Sequence, residues 1–114
     1  MKITQLNECE TTPVNMEGIK GVIKQVPIGK ADGAPHFSIR VFTLEPGGHT
    51  PHHAHESEHL NYILEGNGVA MEGDIAHPIQ KGDYLLVKPH EVHQYRNTGD
   101  SPLVFMCMVP SEYE

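Results

Sequence analysis

Histidines are concentrated in one short stretch of this chain. Residues 47–59 contain five of the nine histidines and two glutamates. Imidazole is the commonest protein ligand for transition metals, and it binds through a neutral ring nitrogen. His53 and His55 are two residues apart, so on an extended strand their side chains point the same way. The stretch therefore predicts a metal site; the alternative is a solvated loop of histidines.

Two further histidines extend this candidate set. His59 can return to the same face if the chain turns after His55 and resumes as a strand. Glu58 or Glu56 is the alternative ligand to His59. His93 belongs to a later segment, and a sheet holds ligands from distant strands at fixed separations. These residues require a β-framework that brings the two segments together.

The rest of the chain predicts such a framework. Eleven glycines and nine prolines in 114 residues indicate frequent turns, and no helix-length amphipathic pattern occurs. We predict short strands at residues 1–6, 18–28, 37–44, 60–64, 69–72, 75–80, 84–87, 92–96 and 103–109. Residues 46–48 are expected to stop the third of these, and the tail from residue 111 is expected to fray. We expect one all-β domain over 1–114, a jelly roll or small barrel.

Charge and composition exclude several partners. Fifteen acidic against eight basic residues give a net charge of −7, which disfavours nucleic acids and anionic membranes. No apolar run approaches the roughly 20 residues that span a bilayer, and the first residues lack an apolar signal core. We expect a cytoplasmic protein in which Cys9 and Cys107 are free thiols.

Two motifs resemble those of the cupins and together cover about half of the chain. Residues 47–66 read Gly-x5-His-x-His-x3-His-x6-Gly, close to the first cupin motif, Gly-x5-His-x-His-x3/4-Glu-x6-Gly. Residues 82–97 resemble the second, Gly-x5-Pro-x-Gly-x2-His-x3-Asn, with Lys88 at the proline position and His90 at the glycine position. His59 occupies the position at which the first motif of the family has a glutamate. The resemblance implies an all-β double-stranded β-helix, the jelly-roll barrel of the cupins.

The resemblance also implies a metal site. Its ligands would be His53, His55, His59 and His93, and it favours manganese or iron, with nickel, copper and zinc behind them. Four neutral ligands leave the ion its full charge, which favours bound anions, and leave positions open for water, dioxygen or a bidentate substrate. Because the ligands must be neutral, metal affinity should fall as the pH drops towards about 6.5.

Strand parity predicts which side chains surround the metal. Counting by twos from His59 places Asn61 and Ile63 on the inward face. The same count from His93 places Tyr95 there, as either a core aromatic or a substrate contact.

Two other strands contribute candidates by the same rule. Phe105 and Cys107 share a face of the last strand, where Cys107 is either an inert buried thiol or a neighbour of the metal. Arg40 is either exposed or, if the face of Phe42 is interior, an anchor for a carboxylate or enolate beside the metal.

These features favour a metal-dependent enzyme. The leading hypothesis is a dioxygenase-type oxygenase acting on a small enol, catechol-like or dicarbonyl substrate, with Arg40 or Tyr95 orienting it. The alternatives are a non-catalytic cupin that binds or senses a small molecule, and an isomerase of a sugar or keto acid. A homodimer is expected, because a small barrel commonly covers a sheet edge in this way.

Overall fold

The computed structural model describes residues 1–114, which form β-strands joined by turns. The nine strands are β1 (Thr12–Pro13), β2 (Lys20–Ile28), β3 (Phe37–His49), β4 (His59–Glu65), β5 (Asn67–Glu72), β6 (Ile75–Gln80), β7 (Tyr84–Val87), β8 (His93–Arg96) and β9 (Leu103–Pro110). Single turns of 3-10 helix occupy Leu6–Glu8, Lys30–Asp32 and Ser111–Tyr113. None of these helical segments has the length or apolar character to span a membrane.

All strands pair antiparallel in one curled sheet. Its order is β6-β5-β8-β3-β9-β4-β7, with β2 also paired to β3, and β1 to β2. Some neighbours in the sheet are distant in the chain: β3 pairs with both β8 and β9. The predicted all-β jelly-roll architecture is confirmed.

The hydrophobic core fills the barrel interior below the histidines. Leu44, Ile63 and Leu103 are fully buried at its centre, and Tyr95 and Phe105 belong to the same cluster. Cross-strand register explains this, because Ile63 lies opposite Phe105, which in turn lies opposite Phe42. Alternate residues of these strands thus point inwards and give the site a rigid floor.

The strand predicted at residues 1–6 was wrong. The segment is extended and then forms the turn Leu6–Glu8, and the first paired residues are Thr12 and Pro13. The side-chain amide of Gln25 holds the segment by donating to the carbonyls of Leu6 at 2.8 Å and Cys9 at 3.2 Å. Hydrogen bonds from a side chain here take the place of pairing between strands. The hydropathy pattern of the sequence does not indicate them.

The third strand does not stop at residues 46–48. β3 continues to His49 because Gly47 adopts a φ of +82°, which glycine accepts without strain. The bend moves the strand from β9 to β8: the amide of Gly47 donates to the Asn97 carbonyl at 3.1 Å, and the amide of Asn97 donates to the Gly48 carbonyl at 2.9 Å. The glycines therefore redirect the strand instead of ending it.

The tail is also held, contrary to expectation. The Glu114 carboxylate accepts hydrogen bonds from the Ser38 hydroxyl and from the amide of Lys30, the latter at 2.8 Å. The amide of Ser111 donates to the His36 carbonyl at 2.9 Å. These contacts place Tyr113 at the opening of the barrel.

Candidate metal centre

Three histidines converge at the open end of the barrel. His53 and His93 form a β-bridge, with backbone bonds of 3.1 Å and 2.9 Å between them. His55 follows two residues later on the same side. One ring nitrogen from each of the three lies within 4.8 Å of the others. The structure thus brings together three of the four predicted ligands.

The hydrogen bonds of two histidine rings leave one nitrogen of each ring free to bind a cation. The Nδ1 atoms of His55 and His93 lie 2.7 Å from the Ser57 carbonyl and 2.9 Å from the Glu91 carbonyl. Because a carbonyl only accepts, each Nδ1 is assigned as the protonated nitrogen, which leaves Nε2 with its lone pair. The two Nε2 atoms then face each other at 3.2 Å.

That separation fits a shared metal ion. Two nitrogens each about 2.1 Å from one ion lie roughly 3.0–3.4 Å apart for angles between octahedral and tetrahedral. Two lone pairs facing each other repel unless a cation lies between them. The residues present therefore suit a divalent transition metal held by neutral imidazoles.

His59 lies beside this cluster but outside it. Its ring stacks on that of His55, with centroids 4.1 Å apart. Its Nε2 is 3.4 Å from the Arg40 guanidinium. It is the first residue of β4 and lies in the wall of the site, next to the group formed by the other three histidines.

A cavity of about 330 Å³ adjoins the histidines. Its walls include Arg40, Phe42, Tyr95, Phe105 and Cys107, and no aspartate or glutamate lines it. Arg40 is on the interior face, as Phe42 is, and its Cζ lies 5.0 Å from the Phe42 ring centroid. An apolar cavity beside a metal site, with few polar groups, is the usual form of a small-molecule site.

Tyr95 is both a core residue and part of the cavity wall. It is only 4% exposed, and its hydroxyl accepts a hydrogen bond from the Asn61 amide. Burial raises the pKa of Tyr95, so its hydroxyl keeps its proton. Asn61 and Ile63 face the interior as predicted, but they lie in the core beneath the cavity walls.

Cys107 is a buried thiol next to a cation. Its Sγ lies 3.3 Å from Nη2 of Arg40. Burial raises the pKa of Cys107, and the neighbouring guanidinium opposes this shift. Both Cys107 and Cys9 are free thiols, in line with the sequence expectation.

Burial changes the pH at which the histidines become charged. It lowers the pKa of His53 and His93 and, with Arg40 adding to the effect, lowers the pKa of His59 to about 3. The folded protein therefore keeps these rings neutral below their usual pKa. Competition between protons and metal should then begin at lower pH than the value of about 6.5 suggested by the sequence.

The same shifts predict acid destabilisation of the metal-free protein. Below pH 6.5 the unfolded chain binds protons at these histidines that the folded chain does not, so the free energy of unfolding falls as pH falls. For His59 the fall continues to about pH 3. We expect His59→Gln to have a shallower dependence of Tm on pH between 7.5 and 4.5 than the wild type. His36→Gln, at an exposed position, should follow the wild type; equal slopes for all three would contradict the prediction.

Lys24 and Tyr113 are among the residues of the cavity wall that were not sequence candidates. Lys24 lies two residues after Val22 on β2. Because Val22 is a core residue, the alternation of side chains along the strand indicates that Lys24 also faces the interior. Tyr113 reaches the cavity only because the terminal turn is anchored at Glu114, and its hydroxyl donates to Glu56 at 2.6 Å. No sequence pattern indicates that contact.

Comparison with known proteins agrees with this architecture. The chain is 33% identical over 99 residues to an oxalate-binding protein of Thermotoga maritima, which covers 83% of this chain and 81% of that protein. It is 35% identical over 74 residues to a 1-methylthio-D-xylulose 5-phosphate methylsulfurylase of Rhodospirillum rubrum, covering 65% of this chain and only 47% of the relative. A gentisate 1,2 dioxygenase of Aquipseudomonas alcaligenes is 29% identical over 62 residues, which are 54% of this chain and 18% of that enzyme.

Solved structures give the same fold. The polyketide cyclase RemF of Streptomyces resistomycificus superimposes with a TM-score of 0.92 at 26% identity, over 97% of this chain and 80% of that one. The family model described as the cupin domain matches residues 40–109, a span that includes His53, His55, His59 and His93. This chain therefore belongs to the cupins.

Proposed function

We propose that this protein is a metal-dependent oxygenase of the dioxygenase type, which acts on a small enol, catechol-like or dicarbonyl substrate. The observation that carries the proposal is the set of three imidazoles facing a cavity that no carboxylate lines. General bases in enzymes are most often histidines and otherwise carboxylates, and since the histidines of this wall are the proposed metal ligands, a separate base would be a carboxylate. Its absence from the cavity walls favours reactions in which the ion itself binds and activates the reactants.

We propose His53, His55 and His93 as the core ligands and His59 as the fourth. When bound, the ion supplies Lewis-acid polarisation of substrate oxygens and a template for their orientation. Manganese and iron are the proposed metals, with nickel, copper and zinc as alternatives, since imidazole binds all of them. The 29% identity with a gentisate dioxygenase supports oxygen chemistry.

The chain's own residues would bind and orient the substrate. Phe42 and Phe105, with ring centroids 5.5 Å apart, exclude water from one wall. The Tyr95 hydroxyl stays protonated and accepts from Asn61, which leaves its own proton free to donate. Arg40 presents a fixed positive charge that would stabilise an enolate.

A second candidate is a binding protein without turnover. The chain covers 81% of an oxalate-binding protein, and the absence of a carboxylate base from the cavity walls agrees equally well with binding alone. Ring closure of a polyketide-like dicarbonyl is the corresponding enzymatic alternative, supported by the fold shared with RemF.

One assay separates these functions. Protein loaded with a defined metal, checked by elemental analysis, is mixed with a panel of diketones and catechols while dioxygen and substrate are both followed. The oxygenase proposal expects dioxygen uptake that matches substrate loss and disappears in His93→Ala. Substrate loss without dioxygen uptake would support cyclisation or isomerisation instead, and saturable binding without loss would support the binding protein.

We also propose that two copies pair through the outer face of β4 and β7. Leu60 lies opposite Leu86, and Tyr62 lies opposite Tyr84. Leu60, Leu86 and Tyr84 are 46%, 52% and 82% exposed. A contiguous apolar sheet face at an edge strand is typical of an isologous interface.

The interface predicts an oligomeric state. We expect a dimer by light scattering, converted to a monomer by Leu86→Glu because the substitution places a charge in the apolar contact. Ile75→Glu is the matched control, since Ile75 is 60% exposed on another edge strand. A wild-type monomer, or an Ile75→Glu variant that dissociates as Leu86→Glu does, would refute the proposed interface.

A further inference from the structure

The cavity beside the histidines is lined by two cations and by no carboxylate. Arg40 and Lys24 both line it. Lys24 lies opposite Phe42 on the neighbouring strand, two residues from Arg40, so both side chains occupy one face of the sheet. The ion pairs of the chain are Lys2–Asp32 and His77–Glu72, and neither cavity cation takes part in one.

Arg40 has unused hydrogen-bonding capacity. Its Nη atoms contact the Tyr113 carbonyl at 3.4 Å and the Cys107 sulfur at 3.3 Å, both weak partners. Its Nε is buried and has no acceptor. A buried donor without a partner destabilises the fold, and a carboxylate is the acceptor that a guanidinium binds best.

Lys24 is held close to Arg40. Its pKa is lowered by burial first and by the Arg40 charge second, and Glu114 partly offsets both. The Glu114 carboxylate is already bound to Ser38 and Lys30, outside the cavity wall. Although the chain carries a net charge of −7, its acidic residues are thus excluded from this cavity.

We propose that Arg40 and Lys24 form a subsite for the second carboxylate of a small dianionic organic acid whose first oxygens bind at the histidine centre. This inference rests on the metal site of the proposed function and adds the substrate's charge class. A divalent ion with neutral ligands, together with two cations, favours a ligand with more negative charge than a monoanion carries. Arg40 lies 3.4 Å from His59, beside the histidine centre, so a short diacid is the class of ligand we propose.

Calorimetric binding to the metal-loaded protein tests this subsite without requiring turnover. Malonate is the dianionic probe, and glycolate is a monoanion that can also chelate an ion. Malonate also chelates a divalent ion more strongly than glycolate does, so the measured quantity is the part of the malonate preference that depends on Lys24, and we expect it to be at least about tenfold. Lys24→Met should lose most of this preference and leave glycolate affinity within about threefold.

The control variant is Lys20→Met, an exposed lysine of the same strand outside the cavity. It should bind both acids as the wild type does, with metal content verified in each variant. Equal affinities for malonate and glycolate, or equal behaviour of Lys24→Met and Lys20→Met, would overturn the subsite. Dioxygen uptake with neutral diketones alone would leave the oxygenase standing while removing the dianion subsite; malonate preference without any turnover would do the reverse.

Discussion

Replacing His93 by alanine should reduce metal affinity by more than about 100-fold. Loss of a group that only hydrogen-bonds to a ligand already lowers metal affinity about 10–100-fold, and this substitution removes a ligand itself. His93 is the residue on which the centre depends most. It is 7% exposed, its backbone is bridged to His53, and its Nε2 faces that of His55 at 3.2 Å. Titration of the metal-free protein with Mn²⁺ or Zn²⁺, followed by calorimetry, measures the loss.

Controls distinguish this effect from a general loss of histidine. His77→Ala removes an exposed ring bonded to Glu72 at 2.9 Å, on β6 and outside the three-histidine group, and should leave metal affinity unchanged. A folded His93→Ala variant with wild-type affinity would contradict the proposed centre.

His59→Ala measures the fourth position separately. The ring lies outside the three-nitrogen cluster and next to Arg40, so its loss should reduce metal affinity less than the loss of His93 does. A loss as large as that of His93→Ala would mean that His59 is a ligand equal to the other three. No loss at all would mean that three histidines bind the metal and that His59 only contacts Arg40 beside them.

The histidine cluster was predictable because it depends on local parity and on a single pairing between segments. His53 and His55 share a face on any extended chain, and His93 needs only the bridge to His53 to join them. The position of His59 depends on where its strand begins and on which side chain competes for its nitrogen. Arg40 is that competitor, and no spacing in the sequence reveals it.

The cavity was less predictable than the ligands. Parity placed Asn61 and Ile63 inward correctly, but it does not tell how deep a side chain lies, and both belong to the core floor. The residue type of Lys24 does not predict that it lines the cavity, because a lysine on a strand normally faces solvent. The anchored tail depends on a contact between Glu114 and Ser38, residues far apart in the sequence, which hydropathy patterns do not encode.

One substitution in the second half of the first motif should affect the fold strongly. Gly66 joins β4 to β5 with a φ of +83°, and a Cβ built there would lie 2.3 Å from the Pro102 carbonyl oxygen. The left-handed conformation costs an L-residue about 1–2 kcal/mol, and forcing an atom into a packed site costs about 1–3 kcal/mol more. We therefore expect Gly66→Ala to lower the free energy of unfolding by about 2–5 kcal/mol in urea denaturation.

Gly73→Ala separates the two causes. Gly73 also has a positive φ, +56°, but nothing lies within 4 Å of a Cβ built there, so only the conformational cost of about 1–2 kcal/mol remains. The difference between the two variants then measures the close approach of the Pro102 backbone to the β4–β5 junction. If both variants lost the same stability, conformation alone would explain why glycine occupies position 66. A larger loss at Gly66 would mean that this glycine of the metal-binding motif is required by packing at the end of the barrel and not by the chemistry of the metal.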